Sequence, residues 1–232
     1  MFVDKRSGRV YKEGDVYTHP VLGDTLRRIA ENGAEEFYTG ETARKLVRDL
    51  EGDGGLMTMS DLENYRVSWE TPVSASLPHT DLTLLSSPPP GSGSVLSAIL
   101  GMSGHYQPSP PDLTRPTAWH RFVEACKFAF AQRTLLGDWN SEEGLGETVR
   151  RVVRKLTGED WWEETVERIS DTSTREDPAW YGAQFSAVED GGTSHVSVLS
   201  PAGDAVSVTS TINTLYGSKV RSETSFCSFK LF

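Results

Sequence analysis

The sequence predicts an α+β chain. Two observations carry this. Apolar residues recur at helical spacing from Leu22 to Ile169, and two short alternating runs close to the end flank a Pro201-Ala202-Gly203-Asp204 turn. A third feature gives the pair of runs chemical interest: Gly191-Gly192 stands directly before Thr193 where the first run opens.

Leu22, Leu26, Ile29 and Ala30 mark a first helix, opened by Pro20 and followed by Gly33. Ala43, Leu46, Val47 and Leu50 make a second apolar stripe that Gly52 closes. Ser60-Asp61-Leu62-Glu63 reads as a capping box starting a short helix. Leu82 to Ser86 reads as a strand. Pro88-Pro89-Pro90-Gly91-Ser92-Gly93-Ser94 then leads into the apolar run Val95 to Leu100, either as a ligand loop or as a turn entering a buried helix. From Ala118 to Leu136 the pattern is helical again, with Phe122, Val123, Cys126, Ala129, Phe130 and Arg133; Cys126 reads as a small core residue, and Glu124 and Lys127 are expected to pair on the surface. His120 reads as structural rather than as a base. Val149, Val152, Val153 and Leu156 predict another helix, Val166 and Ile169 a short one, and Trp161-Trp162 burial against the core.

The chain has 232 residues, 33 acidic and 23 basic, for a formal charge of −10. Nucleic acid is excluded as a partner, since phosphate binding needs a basic surface. Two cysteines, Cys126 and Cys227, are too few for a disulfide framework, and no Cys/His spacing suggests zinc. The start carries no signal-peptide pattern, and Val95 to Met102 is too short to span a membrane.

A small flexible pair before a threonine is the setting an N-terminal nucleophile requires: a bond that can be cut and a hydroxyl fixed at the start of a rigid strand. If the loop is Pro201 to Asp204, Ser200 faces Ala205 and Thr193 faces position 212, within about one residue of register. Thr211 and Asn213 then flank Thr193, near enough to touch it across the strands. An ordinary Thr/Ser-rich strand pair has the same pattern, because threonine favours strands.

The motif Asp190-Gly-Gly-Thr-Ser-His-Val-Ser-Val198, with Thr209-Ser-Thr-Ile-Asn213 and Tyr216-Gly-Ser-Lys-Val-Arg-Ser222, resembles the γ-glutamyltransferase (glutathione hydrolase) family. Tyr11-Lys-Glu-Gly-Asp15, Thr25-Leu-Arg-Arg-Ile-Ala30, Pro88-Pro-Pro-Gly-Ser-Gly93 and His120-Arg-Phe-Val-Glu124 continue the likeness in the same order. The resemblance implies an αββα sandwich of the N-terminal-nucleophile hydrolases. It implies self-cleavage between Gly192 and Thr193, with Thr193 as nucleophile, Thr211 orienting its hydroxyl and Asn213 contacting the α-amino end of the substrate. Residues 1–192 then belong to the C-terminal part of a large subunit and residues 193–222 to the start of the small, catalytic one. Glutathione, its conjugates and other γ-glutamyl amides are the implied substrates, and water or amino-acid and dipeptide acceptors the second partners. No metal or organic cofactor is implied. The family's usual place is the outer face of the plasma membrane.

The chain departs from that pattern at both ends. No residue matches the family's carboxylate-binding arginine, its amine-binding acids or its oxyanion-hole glycines, and residues 223–232 carry no family motif. A truncated chain without activity is therefore the alternative expectation.

Overall fold

The computed structural model describes residues 3–4, 7–141, 144–185, 193–212, 217 and 222–224. It divides into two compact units, residues 1–67 with 189–232 and residues 68–188. Gly192 and Asn213 lie outside the described residues.

In the first unit, α1 spans Pro20–Asn32. Proline opens it because the missing N–H would be unpaired there in any case. The His19 ring accepts from the Leu22 amide, and Gly33 ends the helix at a φ of 75°. Its one buried residue is Thr25; Leu26, part of the expected stripe, is exposed. Helix α2 is Glu35–Tyr38 and α3 is Glu41–Gly52. The stripe on α3 does turn inward, since Ala43 and Leu46 pack with Leu62 against Phe37, Val47, Met57 and Met59. Helix α4 is Met59–Glu63. Its capping box is Thr58 with Asp61, two residues before the expected one: both the amide and the hydroxyl of Thr58 donate to the Asp61 carboxylate at 2.7 Å. Aspartate at the fourth position is short but reaches, which is why a pattern demanding glutamate settles on the wrong start.

The second unit begins with β1, Val73–Ser76, antiparallel to β2, Thr83–Ser86. Strand β1, which no sequence pattern announces, alternates buried and exposed over just four residues. Helix α5, Gly93–His105, is the central element, packed by both strands and by the three helices that follow it in this unit. Ser94, Val95, Ser97, Ala98, Ile99, Gly101 and Met102 are all buried, so it is covered nearly all round. The Pro/Gly/Ser run is thus a turn into a buried helix. Gly93 is required there, because a Cβ would overlap the Ser87 carbonyl.

Helix α6 spans Pro116–Arg133, α7 Leu145–Leu156 and α8 Glu159–Val166. On α7 the expected residues are buried. On α6, Ala129 is buried and Cys126 packs against the core, together with Glu124, Ala125, Phe128, Ala131 and Gln132, while Phe122, Val123 and Phe130 are exposed. Trp162 is fully buried, and Trp161 is half-buried with Lys155 over its ring.

Chain order closes with β3, Ser194–Leu199, antiparallel to β4, Ala205–Ser210, in the first unit. The described residues are thus α+β as expected, with two separate two-stranded sheets.

Candidate active site

The β3–β4 hairpin pairs Leu199 with Ala205 and Ser194 with Ser210. The loop therefore runs from Ser200 to Asp204, one residue longer than expected. Ser200 is drawn into it: its amide donates to the Asp204 carbonyl at 2.8 Å, and its hydroxyl accepts from the Ala202 and Asp204 amides. Gly203 takes a φ of 95°, the conformation that makes glycine necessary in this turn.

That extra loop residue moves the register by one. Carried a single step beyond Ser194↔Ser210, it sets Thr193 opposite Thr211 rather than opposite Ile212. Both threonines are described and both are exposed. Each lies one residue outside its strand.

Because strand side chains alternate, the hairpin has two unlike faces. Val196, Val198, Val206 and Val208 share one. On the other lie His195, Ser197, Ser207 and Thr209, and the positions of Thr193 and Thr211 continue that alternation. The polar face is internally bonded. The His195 ring meets Thr209 Oγ1 at 2.7 Å through Nδ1, and both Ser197 Oγ and Ser207 Oγ at 3.0 Å through Nε2. The two serine hydroxyls are 3.2 Å apart. The motif containing His195 was visible in the sequence, but its bonding was not. Alternation of hydroxyls around a histidine at every second position is the signal that could have revealed it.

The second unit holds a separate polar cluster. Glu124 is 2% exposed. It accepts from Thr174 Oγ1 at 2.6 Å, Tyr181 Oη at 2.9 Å and Lys127 Nζ at 3.0 Å. Burial pushes its carboxyl up, but the hydrogen bonds from Thr174, Lys127 and Tyr181 outweigh this and hold it below its ordinary range. The expected Glu124–Lys127 pair exists, yet its carboxylate is buried in a network that fastens the segment around Thr174 and Tyr181 to α6. His120 contacts the Ser170 carbonyl at 2.7 Å, a structural role.

Near the end of the described chain, Asp49 on α3 collects Ser222 and Thr224. Ser222 Oγ donates at 2.5 Å, Thr224 Oγ1 at 2.7 Å and the Thr224 amide at 3.0 Å. Burial raises the Asp49 carboxyl, and these donors more than offset it. Among the described residues, no helix is long and apolar enough to cross a membrane.

The hairpin thus carries a hydroxyl-rich face whose alternation the positions of Thr193 and Thr211 continue at its open end. Residues 1–226 match the family model described as gamma-glutamyltranspeptidase, and the chain belongs to that family. It is 44% identical over 226 residues to Scoloptoxin SSD14 of Scolopendra dehaani, covering 96% of this chain and 38% of the relative. It is 37% identical over 212 residues to Glutathione hydrolase 2 of Arabidopsis thaliana, covering 91% of this chain and 35% of that protein. The chain thus spans little more than a third of the length of these relatives. Among solved structures, Helicobacter pylori gamma-glutamyltranspeptidase superposes with a TM-score of 0.66 at 26% identity, over 81% of this chain and 52% of that one. The likeness assigns the fold to the αββα N-terminal-nucleophile hydrolases, of which this chain covers a part.

Proposed function

We propose that this chain is part of a γ-glutamyl hydrolase/transferase precursor that cuts itself between Gly192 and Thr193 and then uses Thr193 as its nucleophile. The observation that supports the reading is the hairpin register, which, carried one step beyond Ser194↔Ser210, would set Thr193 opposite Thr211 at the end of the hydroxyl-rich face.

In the first reaction, Thr193 Oγ attacks the Gly192 carbonyl carbon. The C–N bond breaks, nitrogen takes up a proton, and an ester joins Gly192 to Thr193. Water then hydrolyses the ester, leaving a Gly192 carboxylate and a free Thr193 amine. Glycine suits the position because its carbonyl is unhindered. A free α-amine has a pKa of about 7.7–8.0, close enough to neutrality to take the hydroxyl proton as the threonine attacks a γ-glutamyl carbonyl. The departing amine leaves with that proton, and the resulting γ-glutamyl ester passes to water or to an amino-acid or dipeptide acceptor. Thr211 orients the nucleophilic hydroxyl, and Asn213 contacts the substrate's α-amino end. Residues 1–192 belong to the large subunit and residues 193–222 to the small one. Glutathione and its conjugates are the substrate class, and the outer face of the plasma membrane is the site of action.

The test is to purify the chain, sequence its N-termini and assay release of an anilide from a γ-glutamyl anilide. A Thr-Ser-His-Val terminus together with anilide release supports the reading. A chain that stays whole and releases nothing defeats it.

A second reading is a non-catalytic product. The observation favouring it is that every residue of β3 and β4 is exposed in this chain. Cleavage without any anilide release, with release restored in a longer precursor, supports that reading.

A further inference from the structure

The geometry points to a divalent-metal site in the second unit, formed by His105, Glu159 and Glu163. One imidazole nitrogen and one carboxylate oxygen from each glutamate lie within 4.8 Å of one another. These residues take no part in the chemistry assigned to the hairpin.

The site follows from how α5 meets α8. At Gly101 a Cβ would overlap the Trp162 indole, so the helices come together there with nothing between backbone and ring. His105 is four residues beyond Gly101, on the same side of α5 and in its last turn. Glu159 and Glu163 are four apart on α8 and share one face, next to the one that carries Trp162. The Gly101–Trp162 contact therefore fixes the register that sets one histidine beside two carboxylates.

A second observation marks the histidine itself. His105 Nε2 is buried and has no hydrogen-bond partner. A buried polar atom left unpaired is destabilising, so such an atom calls for an explanation. Among the described residues, no ion pair joins His105 to either glutamate, although the three groups converge. An ion between them meets the need of both: it takes the imidazole lone pair and neutralises two adjacent carboxylates.

The donor set is one nitrogen and two oxygens, which suits a borderline divalent transition ion such as Zn²⁺ better than Ca²⁺ or Mg²⁺. Around tetrahedral Zn²⁺, with bonds of about 2.0–2.2 Å, donor atoms stand roughly 3.4 Å apart. The glutamates are exposed and can close that distance. Water would fill the remaining position. The site is a clip between the end of α5 and the start of α8, drawn from residues 54 or more positions apart (105 to 159), which is why sequence spacing did not reveal it.

The test is calorimetric titration of ZnCl₂ into the full 232-residue chain after chelator treatment, with Co²⁺ absorption as a second readout. Glu159→Gln with Glu163→Gln is the primary variant, because both side chains are exposed and the helix is kept; His105→Ala is the second. One equivalent of Zn²⁺ is expected, with affinity falling at least about tenfold in each variant and visible Co²⁺ bands lost. Zn²⁺ should raise the midpoint of thermal unfolding in the parent chain and not in the variants. Absence of binding in a chain whose circular dichroism shows intact helix overturns the site, as does binding that the glutamine variants leave unchanged.

Discussion

At the scale of single residues, the proposed chemistry rests on Thr193. Thr193→Ala should leave the precursor whole and without γ-glutamyl release, while Thr193→Ser, which keeps the hydroxyl, should still be cut; intact-mass spectrometry separates the two. Glu124 makes an independent prediction about stability. Glu124→Gln leaves Lys127 without its buried anionic partner and should cost about 1–3 kcal/mol in denaturant unfolding. Its pH dependence has a defined sign. The carboxyl is held below its ordinary value of 4.5 in the folded chain. Its stabilising effect is therefore fully present above that value and is lost as pH falls through the lower, folded one. The glutamine variant should lack this part of the acid-side slope. The sequence exposed the Glu124–Lys127 spacing but not the burial, because Thr174 and Tyr181 come from about fifty residues further on.

At the scale of elements, legibility tracks how local the deciding interaction is. Helices α1, α3 and α7 were readable, since Pro20, Gly33, Gly52 and the valines of α7 act within a few residues. Helix α6 was legible as a helix, with Cys126 and Ala129 turned to the core, but its buried polar residues were not. Phe122, Val123 and Phe130 are more apolar than Glu124 and Gln132, yet the latter pair is buried because the segment near Tyr181 supplies hydrogen bonds: Tyr181 donates to Glu124, and the Tyr181 carbonyl accepts from Gln132. Composition alone ranks these residues in the opposite order. Strand β1 was too short to carry a periodic signal. The hairpin was legible in its strands and turn, and missed by one in register because the Ser200 side chain bonds into the loop. The α5–α8 contact yields a prediction at this scale. Gly101→Ala pushes a methyl group into the Trp162 ring, and overpacking of this kind should destabilise the chain by about 1–3 kcal/mol in thermal or denaturant unfolding.

For the whole molecule, the informative facts are the third of its relatives' length that the chain spans and the state of the hairpin. Val196, Val198, Val206 and Val208 share one face and are between 48% and 60% exposed. A contiguous apolar strand face of this type promotes association. Val196→Thr with Val206→Thr should therefore lower light scattering at a given concentration while leaving the helical circular dichroism unchanged. The polar face is untouched by that change, so any self-cleavage should persist.

The most direct measurement is N-terminal sequencing of the purified 232-residue chain beside its Thr193→Ala variant, after incubation near pH 8. A second terminus reading Thr-Ser-His-Val is expected in the parent chain and none in the variant. A parent chain that stays uncut, or a cut at any bond other than Gly192–Thr193, would contradict the proposed self-cleavage.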